Sequence, residues 1–431
     1  MPLDLSRDVA IRWSDPEPKH APLLKECGAN TVILDAPSPA FAAACRSVGL
    51  RTAPADDIQF LGLEEMERAS RAKPAALSVG LWPGISRGPS SGSGDDTTAG
   101  ASRQPWIDAN GFRAGYLRAL YPTRPAVLGY LPDPKAGLKP DRSVPFDTLE
   151  LALAEAWAWG GNYLLAVENR YRKALLAGDE KALAAWRALG RTARWLAERA
   201  SQFHRPVLPA VTLLVEPGEA TAEIANLMYR HNVSPALAPA ASPPLPDPSR
   251  LLALVAVSIK PPKAAAAKRI LAHGEAGAAV VVDTPGDGAW WRVAGLKPFR
   301  KQEDRDFYSL GRGQVVAYKE PIADPSEFAF DVIDVVTQKR RAARLWNAPS
   351  IIALATAAPA SSSARGGVLL HALNYGSPIR SDLQARVQGV FAKATLLRPD
   401  GPPIPLKPAK RGTTTEVFLP ELRRVGTVVF S

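Results

Sequence analysis

The sequence predicts an α/β protein with a (β/α)8-type barrel, a second α/β domain and a small C-terminal β-sandwich. Two observations support the α/β part: short apolar runs alternate with helical patterns in the first half of the chain, and a further series of apolar strands and helices follows. The third observation is the last 66 residues, from Gly366, where short alternating runs are separated by turn residues, as in antiparallel sandwiches. We place the domains at residues 1–219, 220–357 and 358–431.

The barrel prediction depends on seven candidate strands, which are Ala10–Trp13, Thr31–Asp35, Arg51–Ala55, Ala75–Trp82, Ala126–Leu131, Asn162–Glu168 and Val207–Glu216. Helical patterns lie between them at Ala21–Glu26, Ala40–Val48, Leu63–Ala72, Phe112–Leu120, Thr148–Trp159 and Lys181–Gln202. The fifth of these helices follows an Asp147-x-x-Glu150 capping box. With one strand unrecognised, the series would complete a (β/α)8 barrel, and an open doubly wound sheet is the alternative. No GxGxxG or Walker motif follows a strand, which argues against nucleotide binding.

Composition fits a globular protein of two or three domains. The chain has 431 residues, of which 46% are hydrophobic and 22% charged, and this is too long for one ordinary core. We expect a soluble protein without a membrane span, because no run of eighteen apolar residues occurs. The N-terminal segment lacks the apolar core of a signal peptide, so the compartment stays open between the cytoplasm and export after removal of a leader.

Cysteines, histidines and charge indicate no cofactor, metal or nucleic acid. Cys27 and Cys45 lie in helical segments and are expected to be buried free thiols. The five histidines are scattered, and neither CxxC nor HExxH spacing occurs, so we expect no metal site. The net charge is +11, but its densest run, Lys339–Arg344, lies in a helical stretch without interleaved aromatic residues. That pattern predicts a solvated helix face.

Polar and aromatic side chains are concentrated at the predicted C-terminal ends of the barrel strands. Catalytic residues of barrel enzymes lie at this face. The residues concerned are Arg12, Trp13, Asp35, Trp82, Tyr130, Asp133, Glu168 and Glu216. A single carboxylate at such a position commonly caps the next helix. The presence of an acid or a ring at most of these ends nevertheless favours a shared site.

A long connection follows the fourth predicted strand. Residues 84–103 are rich in Gly and Ser, which is typical of a functional lid or an insertion. The connection leads to Trp106, Asp108 and Asn110. An indole beside a carboxylate and an amide suits a sugar, which has flat apolar ring faces and hydroxyl groups. The other interpretation is a turn in which Asp108 or Asn110 caps the next helix.

The middle and the end of the chain resemble domains of known glycoside hydrolases. An apolar strand at Leu251–Ile259, a helix at Pro261–His273 and a Gly-containing strand entry after it resemble the glutamine-amidotransferase-like domain of family 42 β-galactosidases. The segment His371–Tyr375 and the final strand resemble the C-terminal sandwich of such enzymes. No cysteine follows Cys45, so thiol amidotransfer is excluded. In the resembling enzymes this domain contributes to oligomer contacts, so the resemblance also implies a homo-oligomer.

The resemblance implies a glycoside hydrolase with a carbohydrate ligand and two carboxyl groups flanking the glycosidic bond. We expect Glu168 to be the acid/base and Glu216 the nucleophile, with Asp133 and Asp108 as further candidates. The expected substrate-binding residues are Arg12, Trp13, Asp35, Trp82, Trp106, Asp108, Asn110 and Tyr130.

One departure from the family pattern leaves other functions open. In the resembling families the acid follows an Asn at the end of the fourth strand. Here that strand ends in Leu81-Trp82-Pro83, and Glu168 precedes Asn169. A carbohydrate-binding protein without catalysis, on a hydrolase scaffold, is therefore the second hypothesis. A structural or assembly protein is the third.

Overall fold

The structure is a computed structural model that describes residues 3–70, 73–79, 82–86, 106–130, 144–284, 288–293, 296–359, 366–376 and 380–431. The predicted site residue Asp133 and most of the connection 84–103 lie outside these ranges. No helix in the described ranges is long and apolar enough to cross a membrane. Cys27 and Cys45 are buried free thiols, as predicted, and burial raises the pKa of Cys27 to about 12.

The first sheet consists of seven parallel strands. The strands of this region are β1 (Ala10–Trp13), β2 (Thr31–Leu34), β3 (Arg51–Pro54), β4 (Gln59–Leu61), β5 (Ala75–Ser78), β6 (Gly84–Ser86), β7 (Trp106–Asp108), β8 (Val127–Gly129) and β9 (Asn162–Ala166). Their order in the sheet is β3-β2-β1-β9-β8-β5-β4, while β6 and β7 form a separate antiparallel pair. The sequence did not reveal β4, a three-residue strand.

The strand order is that of a (β/α) barrel, and it excludes the open doubly wound alternative. The last strand, β9, pairs in parallel with the first, so that Ile11 lies beside Leu165 and Arg12 beside Ala166. From β9 the order then runs back through the chain to β4. The sheet is open between β3 and β4 because residues 55–58 alone connect them, whereas parallel neighbours need a crossover of about a dozen residues. The predicted fold class is thereby confirmed.

Helices cover the outside of this sheet. They are α1 (Ala21–Glu26), α2 (Pro39–Ser47), α3 (Gly111–Leu120), α4 (Thr148–Ala158), α5 (Asn169–Leu176) and α6 (Glu180–Glu198). Short 3-10 turns add Pro18–His20, Ala55–Asp57, Met66–Arg68 and Ala200–Gln202. Alternate strand residues face opposite ways: Ile11 and Leu165 pack among helix residues, whereas Ala10, Ile33 and Leu164 join a small core made from strands and their connections. That small core fills the inside of the barrel.

The predicted capping box at the start of α4 is wrong. Asp147 precedes the helix but its side chain makes no capping hydrogen bond, and it instead pairs with Arg424. Glu150 accepts a hydrogen bond from Thr192 Oγ1 at 2.7 Å and forms an ion pair with Arg423. These partners lie on α6 and on the C-terminal sandwich, so tertiary contacts replace the local motif.

The second sheet contains the segment that the sequence suggested as a seventh barrel strand, which corrects that assignment. Its elements are β10 (Val211–Val215), α7 (Glu219–Arg230), β11 (Ala236–Pro239), the 3-10 turn Pro248–Arg250, β12 (Ala253–Ala256), α8 (Ala264–Glu275), β13 (Ala279–Val282), β14 (Pro298–Lys301), β15 (Arg305–Leu310), β16 (Gly313–Tyr318), α9 (Pro325–Asp331) and a π-helical turn at Val332–Val336. The order is β11-β10-β12-β13-β16-β15-β14, with the first five strands parallel. An apolar strand pattern does not reveal which sheet the strand joins.

Two antiparallel sheets form the C-terminal sandwich. Its strands are β17 (Ala343–Trp346), β18 (Ile351–Ala357), β19 (Val368–Asn374), β20 (Leu383–Gln388), β21 (Ala394–Leu397), β22 (Ile404–Leu406), β23 (Ala409–Arg411), β24 (Thr414–Leu419) and β25 (Val425–Phe430). One sheet has the order β17-β20-β24-β23 and the other β18-β19-β25-β21-β22. The chain leaves the first sheet after β9 and enters the second at β10, and it leaves the second sheet after β16 and enters the sandwich at β17. The exact domain limits stay a prediction.

Helix α6 contacts the end of α1 through Gly190, which generates a stability prediction. A Cβ at this position would lie 2.0 Å from the carbonyl oxygen of Glu26. Inside a helix Gly→Ala normally stabilises the fold, but Gly190→Ala should lower the free energy of unfolding by about 1–3 kcal/mol because the backbones must separate. Urea unfolding followed by tryptophan fluorescence measures the change. Gly62→Ala, where the new Cβ meets only the Glu65 carboxyl group at ordinary contact distance, is the control.

A Gly190→Ala protein as stable as the native chain would contradict this close approach of α6 to α1.

Candidate functional site at the mouth of the barrel

The C-terminal ends of β2, β1 and β9 lie side by side and bring six polar residues to one edge of the barrel. The register pairs Trp13 with Leu34 and Arg12 with Ala166, so the residues that follow these strands are neighbours. We call the following six residues the mouth cluster: Arg12, Ser14, Asp35, Glu168, Asn169 and Arg172. The C-terminal ends of parallel strands are the usual location of sites in barrels.

Within the mouth cluster, Arg12 and Asp35 form an accessible ion pair. Arg12 Nε donates to Asp35 Oδ1 at 2.6 Å, and the two side chains are 24% and 38% exposed. The Arg12 guanidinium also lies 5.7 Å from the ring centroid of Phe60. Arg172 donates to Ser14 Oγ and, at 3.1 Å, to Asn169 Oδ1. The structure thus brings together the predicted binding residues Arg12 and Asp35.

Glu168 is the N-cap of α5. Its Oε1 accepts a hydrogen bond from the backbone N–H of Arg170 at 3.0 Å, and its Oε2 accepts one from that of Tyr171 at 3.3 Å. This is the arrangement that sequence analysis named as the alternative for a carboxylate at a strand end. Glu168 nevertheless lies in the mouth cluster, and its role as acid/base stays a prediction.

Glu216 follows β10 and therefore belongs to the end of a strand in the second sheet. Its Oε2 accepts a hydrogen bond from the backbone N–H of Lys260 at 3.2 Å. Its backbone carbonyl accepts hydrogen bonds from Tyr116 and, at 2.9 Å, from Thr221 Oγ1. Glu168 and Glu216 thus follow strands of two different sheets. The role of Glu216 as nucleophile stays a prediction.

Most of the predicted aromatic binding residues are packed inside the protein. Trp82 and Tyr130 stack with ring centroids 4.1 Å apart and are 4% and 2% exposed. Trp13 is 1% exposed, and its Nε1 donates to the carbonyl oxygen of Asp15. Trp106 is the first residue of β7. In this conformation the three described rings offer no open face for a sugar.

Asp108 and Asn110 are also buried, and they lead to a polar cluster that the sequence did not predict. The backbone N–H of Asn110 donates to both carboxylate oxygens of Glu155, at 3.2 and 3.3 Å. Asn110 precedes α3, but its side chain makes no capping hydrogen bond. Asp108 interacts electrostatically with Arg230 on α7. Both predicted residues therefore lie beside the contacts between domains, and their role in binding a substrate stays a prediction.

Glu155 is the centre of this buried cluster. It is fully buried on α4 and accepts a hydrogen bond from Tyr375 Oη of the sandwich at 2.7 Å. Burial raises the pKa of Glu155 to about 8, although hydrogen bonds from Tyr375 and Asn110 act in the opposite direction. Burial also lowers the pKa of Arg230 to about 10. The sequence carries one signal for this cluster: Glu155 is a second acid, after Glu150, in a helix that is otherwise almost entirely apolar.

One group of metal-ligand side chains lies in the loop after β1. One ligand atom from each of Asp15, Glu17 and His20 lies within 4.8 Å of the other two, among the residues that the structure describes. Glu17 is already paired with Lys19 at 2.6 Å, so a cation would have to compete with an existing ion pair. We assign no metal to this loop.

The chain is similar to solved glycoside hydrolases over most of its length. α-L-Fucosidase isoenzyme 2 from Paenibacillus thiaminolyticus matches with a TM-score of 0.50 and 10% identity, over 95% of this chain and 79% of that one. A β-galactosidase from Bacillus circulans sp. alkalophilus matches with a TM-score of 0.50 and 10% identity, over 93% of this chain and 63% of the enzyme. A catalytic mutant of Gan42B, a GH42 β-galactosidase from G. stearothermophilus, matches with a TM-score of 0.44 and 12% identity. This match covers 74% of this chain and 56% of the enzyme.

These likenesses show the fold. The match to solved glycoside hydrolases extends over 95% and 93% of this chain, and the resemblance predicted from the sequence is confirmed. No protein-family model matches the chain, and no curated protein matches it. Catalytic residues cannot be transferred at 10% identity, so the chemistry has to be argued from the residues themselves.

The buried Glu155 generates a prediction for stability against pH. Its pKa is about 8 in the folded state, against 4.5 for an unperturbed Glu. The stability that the raised pKa of Glu155 contributes is fully present below pH 4.5 and is lost as the pH rises through about 8. The free energy of unfolding should therefore fall between these pH values, by at most about 1.4 kcal/mol per pH unit. Glu155→Gln, which cannot ionise, should remove this slope in urea unfolding experiments.

The control is Glu64→Gln, which changes an exposed carboxylate and should leave the slope unchanged. If the free energy of unfolding changed with pH in the same way in the native protein and in Glu155→Gln, the raised pKa of Glu155 would be contradicted.

Proposed function

We propose that this chain binds carbohydrate at the mouth cluster of the barrel. The observation that carries the proposal is the Arg12–Asp35 pair, which is accessible at the C-terminal edge of three adjacent parallel strands. Ser14 and Asn169, both exposed, add a hydroxyl and an amide beside it. Enzymes built on barrels use this edge for their ligands.

The chemistry of these side chains suits a sugar. Each sugar hydroxyl donates one hydrogen bond and accepts others, so a site that binds it needs both kinds of partner. The guanidinium groups of Arg12 and Arg172 donate, the carboxylates of Asp35 and Glu168 accept, and Ser14 and Asn169 do both. Hydrogen bonds with an ionised partner are stronger than neutral ones, which helps a site that is only partly screened from water.

The similarity to an α-L-fucosidase and a β-galactosidase supports a sugar ligand over other polar ligands. Both are named as enzymes that act on glycosides, and each matches more than nine tenths of this chain.

Hydrolysis of a glycosidic bond is the finer form of the proposal. We propose Glu168 as one carboxylate and, as expected from the sequence, Glu216 as the other. The register suggests a second partner: Asp35 and Glu168 both lie level with Ser14, on strands that flank β1. Their backbones are two strand spacings, about 9.6 Å, apart, a spacing from which the side chains could bring the carboxyl groups to the roughly 6.5–9.5 Å of inverting enzymes.

Sugar binding without hydrolysis is the second candidate function. It is favoured by the hydrogen bonds of the two glutamates, since Glu168 holds the first turn of α5 and Glu216 holds the backbone of Lys260. A carboxylate with a structural role explains its position at a strand end without any catalytic step. The two candidates predict the same ligand and differ in turnover.

Arg12→Ala tests sugar binding at the mouth. It should weaken the binding of a sugar ligand about tenfold or more, because a charged hydrogen bond to a ligand contributes about 1.5–3 kcal/mol. Isothermal titration calorimetry against a panel of galactosides and fucosides measures the loss. Arg187→Ala changes an exposed arginine on α6, far from the mouth, and should leave binding unchanged. Equal affinities for both variants would overturn the proposed site.

Turnover is tested with Glu168→Gln, Glu216→Gln and Asp35→Asn on aryl glycosides. If the chain is a hydrolase, Glu168→Gln and one of the other two should lower kcat by about 10²–10⁴-fold, the usual contribution of a general acid or base. Glu64→Gln is the matched control. No turnover by the native chain, together with unchanged sugar affinity in Glu216→Gln and weaker sugar binding in Asp35→Asn, would establish the non-hydrolytic candidate.

A further inference from the structure

The four-stranded sheet of the sandwich has one face in the core and one face outside it. Leu383, Ala385 and Val387 of β20 pack in the core, with Val417 and Leu419 of β24. The alternate residues of the same strands therefore point away from the core. We call this outer surface the arginine face and define it by Arg344, Trp346, Gln384, Arg386, Arg411 and Phe418.

The register arranges this surface in two rows. Trp346 lies opposite Gln384, and Gln384 lies opposite Phe418, so the two rings flank an amide. In the next row Arg344 lies opposite Arg386, which lies opposite Glu416. Neighbouring strands are about 4.8 Å apart, so the backbones that carry Trp346 and Phe418 are about 9.6 Å apart.

The arginine face carries excess positive charge. Glu416 accepts hydrogen bonds from Arg386 Nε at 2.6 Å and from Arg411 Nε at 3.1 Å, so one carboxylate serves two guanidinium groups. In the part of the chain that the structure describes, Arg344 forms no salt bridge. Instead, the guanidinium carbons of Arg344 and Arg386 lie 4.6 and 4.9 Å from the ring centroid of Trp346. The indole thus holds both guanidinium groups in place beside each other.

An apolar ring stands in the open next to this charge. Phe418 is 68% exposed, a larger exposed fraction than that of the other large apolar side chains which the structure describes as exposed. Arg411, across the sheet, is also open, with a side chain 65% exposed. Aromatic and arginine side chains are enriched at binding interfaces, so this combination suits a binding surface.

We propose that the arginine face binds an acidic polysaccharide. Arg344, which forms no salt bridge among the described residues, presents a planar donor that matches a carboxylate or sulfate group in two hydrogen bonds. Arg386 is paired with Glu416 and adds positive charge beside Arg344. The ring of Phe418 can stack on the apolar face of a sugar. Gln384 Nε2 donates to Glu416, and its Oε1 can accept a hydrogen bond from a sugar hydroxyl. Two successive sugar rings of an extended chain span the distance between strands β17 and β24, which carry Trp346 and Phe418. The choice of a polysaccharide over another polyanion rests on the proposed function of the chain.

The test measures retention of the full chain by affinity electrophoresis in gels that contain polygalacturonate, alginate or a carrageenan. The neutral comparison is fully methyl-esterified polygalacturonate. The native chain should be retarded by at least one of the acidic polymers and not by the ester. Arg344→Ala/Phe418→Ala should weaken the retarding affinity roughly tenfold or more, because it removes a charged hydrogen bond and a stacking surface.

The matched control is Arg312→Ala/Phe299→Ala, which removes an arginine and a 59% exposed phenylalanine from the second domain. It should be retarded like the native chain. Absence of retardation by all three acidic polymers, equal retardation in the ester, or equal loss in both double variants would overturn the proposal. Tighter binding of oligo-dT than of any polysaccharide would replace it with a nucleic-acid surface.

Failure of the arginine face can be distinguished from failure of the proposed sugar binding at the mouth cluster. Arg12→Ala should be retarded by the acidic polymer like the native chain, since Arg12 lies on β1 and not on the sandwich. Failure of sugar binding at the mouth would show as no effect of Arg12→Ala in calorimetry. Failure of the arginine face would show as no effect of Arg344→Ala/Phe418→Ala in the gels.

Discussion

Helix α4 is the constraint on which the arrangement of the three domains depends. Every residue from Thr148 to Ala158 is buried, although two of them are glutamates. A buried carboxylate is costly unless hydrogen bonds or an opposite charge compensate it. Glu150 therefore needs Arg423 and Thr192, and Glu155 needs Tyr375 and the backbone of Asn110. Since Arg423 and Tyr375 belong to the sandwich, the barrel cannot bury α4 without it.

The same helix connects the domain junction to the mouth of the barrel. Helix α4 packs against β9 and α6, and β9 pairs with β1 in the middle of the seven-stranded sheet. Glu168 follows β9, so α4 packs against one of the strands that carry the mouth cluster. The sandwich contacts α4 without contributing a residue to the mouth cluster.

Sequence patterns predicted the elements better than their partners. Strands β1, β2, β3, β5, β8 and β9 lie within the segments that their apolar runs predicted, because a buried parallel strand needs such a run. The pattern missed β4, which is too short to show periodicity, and it assigned β10 to the wrong sheet. Sheet membership depends on contacts between residues far apart in the chain, and a local pattern carries no information about them.

The site shows the same division between local and tertiary information. The sequence identified Arg12 and Asp35 because parallel strands share one end, and the structure joins them. It did not distinguish Asp108 and Asn110, which lie in the domain junction, from residues of the mouth. The Glu155 cluster was missed because its partners come from three domains. An acid in an apolar helix is nevertheless a signal that a partner must exist elsewhere in the fold.

A crystal structure of the chain with a bound oligosaccharide would test the central claim most directly. The account predicts sugar hydroxyl groups within hydrogen-bonding distance of Arg12 and Asp35, at the C-terminal ends of β1 and β2. It also predicts that Glu150 and Glu155 of α4 keep their contacts with Arg423 and Tyr375 when the sugar binds. A sugar bound at the opposite, N-terminal end of the barrel, or an Arg12–Asp35 pair that stays closed to every sugar, would contradict it.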